Sequence, residues 1–324
     1  MAMLEFDADS FFQRLCAGDD EDAILGYPDE AAPSTSHSNL HNHSSPSESP
    51  VLVSVSCIFH LDANLDALPT DLLLVSSDDV FFHLHRHILL RASTNSFSGL
   101  IMDCSQNRTE MVNVTETALV LTLVLSSIYA LDCTEYAASL DVLLAVVRAL
   151  KKYGIPVDRC IAPGTPLFQQ IVAQAPRNPV EVYAVAAEYN AFELASLVSQ
   201  HLISLDLSSI SDELAARIGP VYLKRLFRLH QERMDVLKGL LLTPPVEHGL
   251  TLDCNFVDQK RLTRAWSLAA AGLAWEARPD LSASIIQVSL GSLGQHLSCS
   301  LCQRALSERV MQVVISWSMA RRNI

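Results

Sequence analysis

Two cysteines three positions apart, Cys299-Ser-Leu-Cys302, form the sharpest chemical motif of this chain. Two thiolates at that spacing can grip one Zn²⁺ from a single turn, and a closed structural site wants four ligands. Cys254 is the natural third ligand and His248 or His296 the fourth. A dithiol redox couple uses the same spacing but needs a preceding strand and a thioredoxin-like βαβ context. The flanking sequence offers neither, so structural zinc and buried free thiols remain as readings. The metal reading implies that Cys254, Cys299, Cys302 and His248 hold together a unit spanning 246–324, whose own core would be small.

His83-Leu84-His85-Arg86-His87 is the most enzyme-like pattern. His-x-His on a strand puts both imidazoles on one face, where metal hydrolases set their ligands. A metal-dependent hydrolase using His83, His85 and His87 is therefore the alternative to carry. It would need carboxylate, Lys or further His ligands at the ends of later strands, whereas the downstream sequence reads as helices with no βα repeat. The run also crosses a strand-to-helix boundary, which turns His83 and His87 away from His85. Gly291-Ser292-Leu293-Gly294 lacks the Gly-x-Ser-x-Gly elbow, and the 11 glycines build no phosphate-cradling loop. The expectation is a protein that is not an enzyme.

Short runs surround these residues. Asp71 to Ser77 and Val80 to Leu84 read as a hairpin around Ser77-Asp78-Asp79, where Asp tolerates unusual backbone angles. Val51 to Phe59 alternates as a further strand. His85 to Phe97 switches to helical spacing, and Thr117 to Tyr129 and Ser139 to Tyr153 are apolar helices, the second stopped by Gly154 and Pro156 with Lys151-Lys152 facing solvent. Pro179 to Tyr189 and Ala191 to Leu205 make a helix pair with Asn190 as a left-handed joint. Val221 to Leu242 repeats apolar residues at Leu223, Leu226, Phe227, Met234, Leu237 and Leu241, with His230 interrupting, and Thr243-Pro244-Pro245 ends it. A last helix buries Leu306, Val310, Val313, Val314 and Trp317. Trp266, Trp275 and Trp317 sit at helical apolar spacing and are expected in the core. Asp280 of Arg278-Pro279-Asp280 is expected to cap the helix that follows.

These elements resemble a BTB/POZ domain. Asp71-Leu72-Leu73-Leu74 resembles the family's first characteristic strand, Ser77-Asp78-Asp79-Val80 its Ser-Asp-Gly-Val turn, and His85-Arg86…Ile88-Leu89 its His-Lys/Arg-x-apolar-Leu helix start. Ser93…Phe97, Ile128-Tyr129 and Lys152-Tyr153-Gly154 resemble later landmarks. Asp79 stands where the turn Gly is usual, and the Ser93-to-Phe97 spacing is one longer than the common animal pattern. It is similar instead to a variant in BTB proteins of mushroom-type fungi (basidiomycetes), whose likeness continues more weakly through Pro179 to Ala186 and Cys299-x-x-Cys302. About a quarter of the chain carries the match. The resemblance implies an α+β fold, a BTB/POZ-like domain of small sheet plus helices followed by an all-helical extension. It implies a protein–protein interaction module that self-associates as a homodimer or recruits a partner, as a cullin-type ubiquitin-ligase adaptor or a co-regulator. Asp71, His85, Arg86, Tyr129, Lys152 and Tyr153 are the landmark positions. For Asp71 two roles stand side by side: a strand-start carboxylate satisfied by backbone amides, or an acidic group of a dimer pocket.

The 324 residues, 49% hydrophobic, suffice for a sizeable core. Of the formal charge of −13, residues 1–50 hold −9, ten acids against Arg14, so −4 is left for the other 274. No basic stripe of the kind phosphate backbones require is present, which argues against direct nucleic-acid binding. The longest apolar run, Ala118 to Leu131, falls short of the roughly 20 residues that span a bilayer, so no membrane partner is expected. The acidic start does not indicate export, and eight scattered cysteines in a chain this long make no disulfide framework. Reduced thiols in the cytoplasm or nucleus are expected. The reading divides the chain into a disordered acidic Ser/Pro/His-rich tail (1–50) with a short helix around Leu4 to Cys16, a BTB/POZ-like domain (51–155), a helical extension (156–245) and a small helical unit with the CxxC (246–324).

Overall fold

The computed structural model describes residues 53–101 and 110–324; the acidic tail with its expected helix, and residues 51–52 of the first expected strand, lie outside them. The fold is α+β. The described residues divide into two compact units, one of 53–86 with 110–118 and one of 87–101 with 119–324.

The first unit holds a four-stranded sheet in the order β1-β3-β2-β4, built from β1 (Ser54–Val55), β2 (Leu72–Val75), β3 (Val80–Leu84) and β4 (Glu110–Asn113). β2 and β3 form the antiparallel hairpin with Leu72 opposite Leu84, and β4 runs parallel to β2 with Glu110 opposite Leu72. Among the described residues of the expected Val51 to Phe59 strand, Ser54 and Val55 form the strand, pairing parallel to the edge of β3; Ser56 Oγ then accepts from the Phe59 amide (3.2 Å), which turns the chain inward. Alternation brings Leu72, Leu74, Phe82 and Leu84 to one buried layer with Phe59. At the hairpin turn Ser76 Oγ accepts from the Val80 amide (3.0 Å) and Asp79 takes φ 61°, so an Asp does what a Gly does there more freely. Asp78 Oδ1 accepts from the Ala118 amide (2.8 Å), the first residue of a helix.

The second unit is helical. It carries α1 (Arg86–Ala92), whose first residue belongs to the sheet unit, α2 (Ala118–Tyr129), α3 (Leu140–Lys152), α4 (Val157–Cys160), α5 (Pro166–Gln174), α6 (Pro179–Glu188), α7 (Phe192–Ser199), α8 (Asp212–Leu242), α9 (Phe256–Trp275), α10 (Ala283–Gly291) and α11 (Ser300–Ser318). Gly154 follows α3 at φ 68°, and a Cβ there would sit 2.5 Å from Asn95 Oδ1. That close approach lets Ser93 Oγ donate to the Tyr153 carbonyl (2.6 Å), Thr94 Oγ1 to that of Gly154 (2.9 Å) and Asn95 Nδ2 to that of Lys152 (2.9 Å), while Phe97 stacks on Tyr153 at 3.9 Å. Asn190 is the left-handed joint between α6 and α7, with φ 52°.

α8 is two helices merged across Gly219 (φ 73°) and Pro220. Its buried stripe is Tyr222, Leu226, Leu229, His230, Arg233, Leu237 and Leu241, a rotation from the expected face that leaves Phe227 52% exposed. The cause is Arg233, whose buried guanidinium donates to the carbonyls of Pro279 (2.7 Å), Ala320 (3.0 Å) and Arg321 (2.8 Å) and lies 4.4 Å over the Trp317 ring. His230 is buried beside it and donates from Nε2 to the Leu202 carbonyl (2.9 Å). α11 buries Leu306, Val310, Val313 and Trp317 as its spacing predicts, with Val314 at the margin. Trp266 and Trp317 are core residues, but Trp275 is 91% exposed, since it ends α9 where no later element covers it. Ser282, not Asp280, caps α10, because Asp280 is spent in the preceding turn. Among the described residues no helix is long and apolar enough to cross a membrane.

Candidate metal centre

Four ligand-type side chains converge where the end of α8, the start of α9 and the start of α11 meet. Thr243 ends α8, and the loop through Pro244-Pro245 carries His248 back toward α9. Glu247 is tied to Lys260 of α9 (2.7 Å) and accepts from Thr263 Oγ1 (3.3 Å), which anchors the loop beside His248. A tight bridge between Thr251 and Cys254 then delivers Cys254 to the interior. Directly after it Asn255 starts α9 with a reciprocal cap: its Oδ1 accepts from Val257 (2.8 Å) and Asp258 (3.1 Å), and the Asn255 amide donates to Asp258 Oδ2 (3.2 Å). On the other side Cys299 is the N-cap residue of α11 and Cys302 lies in its first turn.

The ligand atoms of His248, Cys254, Cys299 and Cys302 all lie within 4.8 Å of one another, a group able to hold a metal ion. His248 Nε2 is 3.3 Å from Cys302 Sγ and 3.4 Å from Cys299 Sγ, and Cys254 Sγ is 3.7 Å from Cys302 Sγ. His248 Nδ1–H donates to the Gly249 carbonyl (2.6 Å), which leaves the Nε2 lone pair facing the sulfurs. Gln259, buried, places its amide nitrogen 3.5 Å from the same Nδ1. Cys254 and Cys302 are sealed, while Cys299 and His248 are partly exposed.

The three thiols are electrically unlike. The backbone N–H groups of Cys302 and Leu301 face Cys299 Sγ from the first turn of α11, short of a formal capping bond, and hold its thiol down at about 7 against the opposing effect of burial. Burial first, and then the neighbouring sulfurs, push Cys302 up to about 12; burial raises Cys254 as well, against the lowering effect of its contact with Cys302. A metal-free cluster thus keeps protons on its two inner sulfurs, which a cation would displace.

The sequence expectation named three of these residues from spacing and left the histidine between two. His248 is the one brought in; His296 ends a 3₁₀ turn over Ser292–His296 and is outside the group. Gln259 carried no signal, since its approach depends on how the loop folds onto α9. Among the described residues no other metal-capable group exists, so His83, His85 and His87 do not form one. His83 is on β3, His85 is buried and donates from Nε2 to the Leu68 carbonyl (3.0 Å), and His87 is exposed on α1.

The landmark residues fall in both units. In the first, Asp71 Oδ1 accepts from the Arg86 amide (2.7 Å) and its Oδ2 lies 3.8 Å from Arg86 Nε, so the carboxylate both caps α1 and faces a cation. Glu110, unsignalled in the sequence, is closer still to that guanidinium (2.8 Å), because parallel pairing sets β4 beside β2. In the second unit, Tyr129 ends α2 and Lys152 lies 4.9 Å over the Tyr153 ring. Family models, curated proteins and solved structures were all compared with the chain, and none matches.

Proposed function

We propose that this chain is a non-enzymatic protein–protein interaction module of BTB/POZ type, whose C-terminal helices are stapled by a structural zinc ion. The observation that carries the interaction reading is the open sheet of the first unit. Among the described residues its order leaves β1 and β4 as edges, and an edge strand offers unpaired backbone groups to another chain. Val53 (51% exposed) and Val55 (42%) lie along one edge and Met111 (62%) on the other. Water-exposed apolar edges of this kind gain by being covered. A second copy is the preferred partner, in keeping with the family resemblance; a cullin-type scaffold or a transcriptional complex is the further recruit.

Zinc is supported by the edge lengths of the ligand group. Zn–S bonds of about 2.3 Å and Zn–N bonds of about 2.0–2.1 Å at tetrahedral angles set the ligand atoms about 3.8 Å apart for two sulfurs and about 3.5 Å for sulfur and nitrogen. The separations of 3.7 Å (Cys254–Cys302) and 3.3–3.4 Å (His248 to Cys302 and Cys299) approach those edges. Three thiolates and an imidazole leave no open coordination position, the mark of a structural site.

Light scattering of the full-length protein at micromolar concentration, with its metal content measured alongside, tests both parts. The expected result is a dimer that Val55→Glu with Met111→Glu converts to a monomer of unchanged melt, carrying one zinc per chain. A monomeric wild-type protein overturns the self-association reading.

A further inference from the structure

The four-residue group can be closed without a metal. Cys254 Sγ and Cys302 Sγ are 3.7 Å apart, and a disulfide needs about 2.05 Å, so an approach of under about 2 Å joins them. Cys254 belongs to the bridged turn before α9 and Cys302 to the first turn of α11. A bond between them therefore ties the same two segments that the metal ties. Joining Cys299 to Cys302 would do nothing of the sort, since both belong to the start of one helix. Access is uneven as well: Cys299 is the sulfur that solvent reaches, with Cys254 and Cys302 behind it.

We infer that the centre has two interchangeable clasps, a metal ion under reducing conditions and, after oxidation by hydrogen peroxide, a Cys254–Cys302 disulfide that takes the ion's place. Only the first of these states rests on the zinc reading. The Cys299 thiolate attacks one peroxide oxygen; the O–O bond breaks, the sulfur becomes a sulfenic acid and hydroxide leaves. The Cys302 thiolate attacks that sulfur, forming a Cys299–Cys302 disulfide and expelling a second hydroxide. The Cys254 thiolate then attacks the Cys302 sulfur, the bond to Cys299 breaks and Cys299 departs as thiolate. In sum two thiolates and one peroxide give one disulfide and two hydroxides, the sulfurs losing the two electrons that the O–O bond gains. With two of its three sulfurs joined, the ion keeps only Cys299 and His248 and is released. The loop holding Cys254 stays fastened to α11.

The test treats zinc-loaded full-length protein with hydrogen peroxide, follows zinc with a metallochromic dye, alkylates the remaining thiols and maps disulfides by mass spectrometry. One ion released per chain, peptides of Cys254 and Cys302 joined, Cys299 alkylated, and recovery with dithiothreitol and zinc are the expected results. The oxidised protein should also melt close to the zinc form, whereas reduced, chelated protein melts earlier. A final Cys299–Cys302 linkage, sulfinic acid, or zinc retained with every thiol intact overturns the inference. Cys254→Ser serves as the control and should stop the reaction at Cys299–Cys302. If the protein carries no zinc and takes none up, the zinc reading fails by itself, and peroxide treatment of the metal-free thiols still decides the linkage.

Discussion

Removing the metal under reducing conditions should destabilise the helical core that surrounds the centre. Cys302 is the hub of the group, buried, with His248 Nε2 at 3.3 Å and Cys254 Sγ at 3.7 Å. Cys302→Ser therefore takes away the ligand that approaches two of the others and is the genetic counterpart of a chelator. Binding confined to the folded state adds RT ln(1 + [L]/Kd), about 4 kcal/mol when free zinc is 1,000 times its Kd. For a cooperative unit of roughly 150–250 residues, each kcal/mol moves Tm by about 2–4 °C, so the zinc-loaded protein should melt about 8–16 °C above the chelated one. Tryptophan fluorescence is a suitable readout. Trp266 and Trp317 are packed in the same hydrophobic cluster as Cys254 and Cys302, and their indole N–H groups donate to the carbonyls of Leu241 (2.9 Å) and Leu281 (2.7 Å). Cys302→Ser should melt with the chelated wild type and gain nothing from zinc. If chelated and zinc-loaded melts superpose within about 1 °C, the ion contributes no folding energy and the reasoning is refuted.

Arg233→Ala should cost about 1.5–3 kcal/mol, since it removes a charged donor from three carbonyls and uncovers Trp317, and Arg233→Lys should recover only part of that because an ammonium cannot fork to all three; denaturant melts of the two variants check the order. Gly154→Ala should cost about 1–3 kcal/mol, from positive φ and the clash with Asn95, and thermal melts should show it against a neutral Gly249→Ala, where an added Cβ meets nothing within 4 Å. Burial holds His230 below the ordinary histidine range, ahead of the opposing effect of its bond to the Leu202 carbonyl. Below about pH 6.5 the unfolded chain takes up a proton that the folded one refuses, so stability present above that pH is lost as pH falls toward the depressed value. Melts from neutral to mildly acidic pH should decline, and His230→Gln, which keeps a donor, should flatten that decline.

Local chemistry read through to structure wherever one residue decides the backbone. Asp79 and Asn190 were expected at strained joints and both take positive φ, since short polar side chains tolerate it. The apolar rhythm of α11 likewise found its buried face. It failed on α8, because hydrophobic spacing treats an arginine as an outward residue, and nothing within 221–242 announces that three carbonyls from 279, 320 and 321 will receive the Arg233 guanidinium. Glu110 beside Arg86 was illegible for the same reason, a pairing set by strands apart in sequence, and Gln259 approaches His248 only because the loop folds back onto α9. Cys299 and Cys302 of the metal group were legible because the CxxC spacing is itself a local geometry, one helical turn, and Cys254 was named beside them as the third candidate. For the histidine the spacing left His248 or His296, with His248 carried into the expected set, and the structure brings in His248, on the loop that the Glu247–Lys260 tie holds against α9. The family landmarks illustrate the other side of that rule. Ser93, Asn95, Tyr153 and Gly154 are held by mutual hydrogen bonds and a ring stack that would constrain these residue types in any fold with this turn. What discriminates an interaction module is therefore the exposed sheet edges, and their behaviour in solution is the observation on which the functional reading turns.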